Sequence, residues 1–228
     1  MSNHKPTVDV IIPSSGRASL AGIYSAWTNL ANNEHDIGVR IIVVQDGKFQ
    51  LPNGARNSKW SVKKHTGNPG FLVGNAIHGS TADYVVHGFD DDPPSNIHQL
   101  VLRCHETRAD WCSSKVEELR EDRQPATIYD GIPGDYLLHR NTVPLQGCVF
   151  RRSLFKRIQF FEPDTPFWRY DHDFVLRLHL TGATHTHVDS ICGWWVINPE
   201  GITSTISDRG YSMVWQDRRS DVWKQYRG

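Results

Sequence analysis

Three consecutive carboxylates, Asp90-Asp91-Asp92, follow the apolar run Tyr84-Val85-Val86-His87-Gly88-Phe89 and precede Pro93-Pro94. Adjacent anions repel one another, so folding alone does not favour such a triplet. The apolar run reads as a strand that the two prolines forbid from continuing. Carboxylates at a strand end suit a hard divalent cation such as Mg2+ or Mn2+, which takes oxygen ligands and fills its remaining positions with phosphate and water. A solvated acidic turn before a helix, its charges favoured near the helix N-terminus, is the other reading. A second acidic group, Asp171-His172-Asp173, opens a segment of helical periodicity closed by Gly182. A carboxylate at Asp171 suits proton abstraction if partial burial raises its pKa, or it caps the helix. Asp173 falls about 200° around a helix from Asp171, so the two cannot share a face. Asp173 is expected to bond Arg177 at i+4 instead.

Other residues with chemical capacity are less specific. Arg17 sits in the polar turn Ser14-Ser15-Gly16-Arg17, where it meets a phosphate or lies on the solvent face of a helix start. His185 and His187 alternate along a strand-like run and share a face, which suits hydrogen-bonded structural histidines or metal ligands. Trp194 and Trp195 are adjacent and so face opposite sides of a strand; one could floor an acceptor cleft while the other packs in the core. The basic tail residues Arg218, Arg219, Lys224 and Arg227 suit a phosphate- or nucleic-acid-facing patch, or a solvated helix face balanced by Asp217 and Asp221.

The elements that must position these groups follow from pattern. Val8–Pro13 and Val39–Val44 are too uniformly apolar for half-exposed strands and read as buried, parallel ones. Between them Leu20, Ile23, Tyr24, Trp27 and Leu30 recur at helical spacing, giving a βαβ unit with a right-handed crossover. Ligands of such open sheets bind beyond the carboxyl ends of the strands, where Ser14–Arg17 and Asp46 fall. A short third strand is expected at Lys59–His65, a helix over Phe71–His78, the Tyr84 strand, and a helix after Pro94 through Arg108. A strand near Trp111–Val116 then leads into a charged loop. Gln146–Phe150 reads as a strand, Arg152–Ile158 as a short basic helix, Asp171–Leu180 as a helix, His185–Val196 as a strand, and Tyr211–Tyr226 as an amphipathic helix.

The whole chain sets bounds. Its 228 residues suit one large domain, and its formal charge is zero, with 25 basic and 25 acidic residues. Net charge therefore gives no support to nucleic-acid binding. Eight tryptophans favour ring stacking on sugars or bases as well as core packing. Cys104, Cys112, Cys148 and Cys192 form no C-x-x-C pair, which argues against a zinc ribbon or disulfide scaffold and suits reduced thiols. The N-terminal residues lack an apolar signal-like run, and no span-length apolar run follows, so the expectation is a soluble, cytoplasmic protein.

Taken in order, five segments resemble family 2 glycosyltransferases of the GT-A fold over roughly the first 190 residues. Val10-Ile11-Ile12-Pro13-Ser14-Ser15-Gly16-Arg17 is similar to the family's first strand and nucleotide-binding turn. Ile42-Val43-Val44-Gln45-Asp46-Gly47 resembles its second strand, whose final aspartate contacts the base. Gly67-Asn68-Pro69-Gly70 with Val73-Gly74-Asn75-Ala76 resembles the loop and helix before the D-x-D strand, and Asp90-Asp91-Asp92 occupies the D-x-D. Tyr170-Asp171-His172-Asp173 is similar to the helix whose Glu-Asp start supplies the base. Tyr170 departs from the family's usual Glu, Gly74 from a common Arg, and Ser14-Ser15 from an aromatic residue.

The resemblance implies an α/β fold of GT-A type, a Rossmann-like mixed and mainly parallel sheet flanked by helices. It implies a single catalytic domain over 1–228, with a nucleotide-binding half at about 1–108 and an acceptor-facing half at about 109–228. It also implies a metal-dependent hexosyltransferase that takes a nucleoside-diphosphate sugar, a UDP-sugar above all, to a soluble acceptor with inversion. By the same resemblance Asp92 is the direct metal ligand for Mn2+ or Mg2+, and Asp90 binds ribose or metal-bound water. Pro13, Ser14, Arg17, Asp46, Asn75, Asp90 and Asp91 contact the donor, and Asp171 is the base. Trp194 and Trp195 are the acceptor candidates, and the acceptor class stays open, a modified DNA base of bacteriophage type included. The segment Gly201-Ile202-Thr203-Ser204-Thr205 resembles the one that closes over the donor. A sugar nucleotidyltransferase and a non-catalytic carbohydrate-binding protein are the competing functions. The first would show a glycine-rich first turn with nearby basic residues, which Pro13–Arg17 supplies poorly.

Overall fold

The computed structural model describes residues 5–14, 20–46, 60–65, 69–120, 122, 124–163, 165, 169–197 and 224. Parallel pairing organises the first half. β1 (Thr7–Ser14) lies between β2 (Gly38–Asp46) and β4 (Tyr84–His87), and β3 (Trp60–His65) adds beside β2, all parallel. Beyond β4 the sheet turns antiparallel through β7 (Cys148–Arg151) to β5 (Trp111–Leu119) and β6 (Pro125–Tyr129). Seven strands run in the order β3-β2-β1-β4-β7-β5-β6, and β8 (His185–Val196) pairs parallel with β5 off that path as the eighth. The mixed, helix-flanked α/β sheet agrees with the expected fold class.

Strand alternation divides the core into two layers. Val8, Val10 and Ile12 of β1 pack with Ile23 and Trp27 of α1 (Leu20–Asn33) and with Leu100, Val101 and Cys104 of α3 (Ile97–Thr107). Ile11 and Val85 face the other way, onto Leu72, Val73 and Ala76 of α2 (Pro69–His78) and Phe174 and Leu178 of α4 (Tyr170–Leu180). Each such buried aliphatic or aromatic side chain contributes roughly 1.5–3 kcal/mol. Asp9, on the α2 side of β1, is 1% exposed. Its charge is matched by a two-pronged bond from Arg40 on β2, at 2.7 and 2.5 Å, and by Ser80 Oγ at 2.6 Å. All four cysteines are free and buried, Cys148 in the α2/α4 layer and Cys104, Cys112 and Cys192 in the α1/α3 layer. Burial pushes the Cys104 thiol up to about 12 and raises those of Cys112 and Cys148 well above the usual thiol range.

Several boundaries differ from expectation for identifiable reasons. α3 begins at Ile97 rather than directly after Pro94, because the Asn96 N–H is donated to the Cys192 carbonyl on β8 at 2.6 Å. It ends at Arg108, whose φ of 57° makes a left-handed cap. The stretch expected as a charged loop contains β6, an edge strand whose first four residues are exposed and which therefore shows no apolar alternation. Its proline stands at the first position, where an edge strand tolerates it. Arg152–Lys156 forms a 3-10 turn instead of an α-helix. Among the described residues no helix is long and apolar enough to cross a membrane. The expected helix at 211–226 lies outside the described residues, apart from Lys224.

Candidate active site

The parallel strands β1, β2 and β4 end along one edge, and the acidic triplet is folded onto it. On leaving β4 the chain turns across β1, with the Gly88 N–H donated to the Ile11 carbonyl at 2.8 Å. A Cβ on Gly88 would lie 2.7 Å from Ile12 Cγ1 and 3.1 Å from Val10 Cγ1, so a glycine is needed for this approach. The turn delivers Asp90 to the end of β1, where Ser14 Oγ donates to Asp90 Oδ2 at 2.7 Å. Both residues are buried. Two members of the expected donor-binding set, from separate strands, thus meet at the carboxyl ends of the sheet, where open α/β folds bind ligands.

Asp92 is 3% exposed and held from two directions. Gln146 Nε2 donates to its Oδ2 and the Val196 N–H to its Oδ1, each at 2.7 Å. Burial first, then the neighbouring Asp91 charge, raises its carboxyl to about 7, while Gln146 and the Val196 N–H pull the other way. A nearby backbone contact fixes the same junction: Ser95 Oγ donates to the Gln146 carbonyl. β8 passes so close that a Cβ on Gly193 would lie 2.5 Å from the Gln146 oxygen.

Asp171 lies in the first turn of α4, one position inside the helix rather than at its start. The N-cap position belongs to Arg169, which makes no side-chain cap. The Asp171 carboxyl is half-buried and accepts from Asn141 Nδ2 at 3.2 Å. Burial raises its pKa; the His172 N–H, Arg169 and Asn141 oppose that rise. The expected Asp173–Arg177 bond is present at 2.8 Å and fully buried, with Arg177 also donating to the carbonyls of Gln159 and Phe160.

Tyr170 joins α4 to the strand that carries the triplet. Its hydroxyl lies 2.9 Å from His87 Nε2 at the end of β4. His87 is 3% exposed, and burial lowers its pKa to about 3, so the ring is neutral. Burial and the charges of Asp171, Asp90 and Asp91 hold the Tyr170 phenol far above its ordinary value. Asp171, Asp90 and Asp91 therefore lie within electrostatic reach of one hydroxyl.

The remaining expected residues divide. Pro13 lies next to Ser14 on β1, paired with Val44. Asn75 is half-buried on α2, with no described side-chain bond to the triplet. Asp46 ends β2, its side chain outside the described set, and Arg17 and 201–205 lie outside the described residues. Trp194 and Trp195 are half-buried near the end of β8, directly before the Val196 N–H that holds Asp92, and Trp195 lies 5.9 Å from the Tyr129 ring. His185 and His187 share a face and serve the interior. Ser113 Oγ gives its proton to the Gly131 carbonyl at 2.6 Å, so His185 Nε2 and His187 Nδ1 donate to Ser113 Oγ at 2.7 and 3.2 Å. Sequence reasoning missed His87, Asn141 and Gln146, none of which belongs to a recognisable motif. Only the histidine inside an otherwise apolar strand end was a signal. Among the described residues no group of three or more His, Cys, Asp or Glu side chains is gathered for a metal ion.

No protein-family model and no curated protein sequence matches the chain. Solved structures do. The chain is similar to S. aureus TarS at 15% identity and TM-score 0.62, covering 85% of this chain and 37% of that one. Against TarS residues 1–349 in complex with UDP-GlcNAc, the TM-score is 0.67 at 13% identity, covering 96% of this chain and 71% of that one. The corresponding complex with UDP gives 0.61 at 13% identity, covering 96% and 70%. The chain thus spans well under half of the longer TarS structure. At these identities the likeness shows the fold, a GT-A-like glycosyltransferase fold.

Proposed function

We propose that this chain is a glycosyltransferase that moves a hexosyl group, with inversion, from a UDP-sugar to an acceptor. In this reading Asp90 and Asp92 hold Mn2+ or Mg2+, Ser14 and Asp90 meet the donor, and Asp171 is the base. The observation that carries it is the Ser14–Asp90 bond at the carboxyl edge of the parallel strands, with Asp171 brought to the same place through Tyr170. The fold shared with TarS, a glycosyltransferase whose structures include UDP and UDP-GlcNAc complexes, supports the donor class.

The residues fit a divalent ion in one respect that matters. Burial and the neighbouring Asp91 charge raise the Asp92 carboxyl to about 7 against the pull of Gln146 and the Val196 N–H, and a dication would add the compensating charge. Each carboxylate oxygen of Asp92 accepts one hydrogen bond and retains a lone pair. With few protein ligands at hand, diphosphate and water oxygens would have to supply the remaining ligands. A bound ion there supplies charge neutralisation of the departing diphosphate. Asp171 accepts the proton of the attacking acceptor hydroxyl as the new glycosidic bond forms and the bond from the anomeric carbon to the diphosphate oxygen breaks. Partial burial raises the carboxyl toward the range a general base needs.

A thermal-shift panel of UDP, UDP-GlcNAc, UDP-glucose and GDP-mannose, each with and without Mn2+, tests the reading through ligand linkage. A Tm rise with UDP compounds that requires Mn2+, together with UDP release on adding acceptor candidates, is the expected result. No shift with any nucleotide sugar would overturn it, and pyrophosphate release from UTP plus a sugar phosphate would favour a nucleotidyltransferase.

A further inference from the structure

Tyr170 is packed at the meeting point of three elements that carry the proposed site. Its side chain begins on α4, next to Asp171. Its ring lies 5.8 Å from Phe160 and its hydroxyl reaches His87 at the end of β4, three residues before Asp90. On the third side is the first turn of α2: a Cβ on Gly70 would lie 2.9 Å from Tyr170 Cγ and 2.7 Å from Phe161 Cδ2. The absence of a side chain at Gly70 is what admits the aromatic ring. The phenol oxygen and Nε2 lie 2.9 Å apart and share one hydrogen bond between a neutral hydroxyl and a neutral imidazole. Phe89 at 4.3 Å and Phe160 at 5.8 Å fix the imidazole plane.

We propose that Tyr170 and His87 are a positioning pair that sets the base Asp171 against the Asp90–Asp92 seat. The inference rests on the glycosyltransferase reading above. A helix terminus joined to a strand end by one neutral hydrogen bond and a ring cradle has little freedom to slide. A base displaced by about 1 Å loses on the order of 10²-fold in rate. Neither residue touches the reacting atoms, so the effect is on turnover and not on donor capture.

The test is steady-state kinetics of the full chain with Mn2+ and the UDP-sugar that the wild type turns over, alongside Tm. Tyr170→Phe keeps the ring in its cradle and deletes only the hydroxyl. The expected result is a fall in kcat of about 10- to 100-fold, with donor KM within about twofold and a Tm change of a few degrees. His87→Gln, whose amide oxygen can accept from the phenol, is expected to retain several-fold more kcat than His87→Leu. A Tyr170→Phe enzyme with wild-type kcat, or equal kcat for the two His87 variants, would overturn the positioning role while leaving the glycosyltransferase reading intact. Loss confined to Tm with kcat unchanged would reduce the pair to a structural contact and overturn it likewise. A wild-type chain that turns over no nucleotide sugar would overturn both.

Discussion

Single side chains at this site are defined by what already holds them. Asp92 is gripped by Gln146 and the Val196 N–H at 2.7 Å, whereas Asp171 takes its one described side-chain bond, from Asn141, at 3.2 Å beside the N–H groups at the start of α4. The two carboxylates should therefore respond differently to the same change. Asp171→Asn is expected to lower kcat by about 10²- to 10⁴-fold with little change in the Mn2+ concentration needed. Asp92→Asn is expected to raise that concentration at least tenfold, read as Mn2+ titrations of both Tm and rate. If both variants keep wild-type turnover and metal response, the assigned roles are wrong. The triplet and Asp171 were legible because clustered charge is conspicuous in a sequence. Their partners were not, since Gln146, Asn141 and His87 act through contacts formed across 54, 30 and 83 residues of chain.

Elements bring these groups together, and close approach between elements is the controlling quantity. β8 passes the 3-10 turn Leu145–Gly147 at Gly193 with no room for a methyl group. Gly193→Ala is expected to destabilise the fold by about 1–3 kcal/mol, measured by urea unfolding, because the obstructing atoms belong to the backbone of Gln146 and Gly147. A variant as stable as wild type would show that the turn can yield. The same crossing sets Asp92, so loosening should also weaken the Mn2+ response. Strands β1, β2, β4 and β8 and helices α1, α2 and α4 were visible as periodic or uniformly apolar runs. β6 was hidden because an exposed edge strand carries no apolar alternation. The antiparallel insertion of β7 between β4 and β5 was hidden because pairing order is decided by packing between distant segments.

Across the whole molecule, burial of neutral groups sets how the fold responds to its surroundings. His185 is held near pKa 4 by burial and by His187, against about 6.5 in an unfolded chain. Between those values the unfolded chain takes a proton that the folded chain refuses, so stability from this residue falls as pH falls through that window. His185→Gln, whose amide can still donate to Ser113, lacks this term. The stability of wild type relative to the variant is therefore expected to shrink from pH 7 to pH 4.5, read from urea midpoints at each pH; a constant difference would contradict the assignment. The cysteines carry a related consequence. Their thiols are sealed in two layers, and burial keeps those of Cys104, Cys112 and Cys148 in the unreactive, protonated form. An alkylating reagent can reach them only when the layer above them opens, so the rate at which each thiol is modified is a clock for that opening. Cys148 times the layer beneath α2 and α4, where the base helix rests, and Cys104, Cys112 and Cys192 time the opposite one. The chain thus carries its own probes for whether a bound nucleotide tightens one side of the sheet or both.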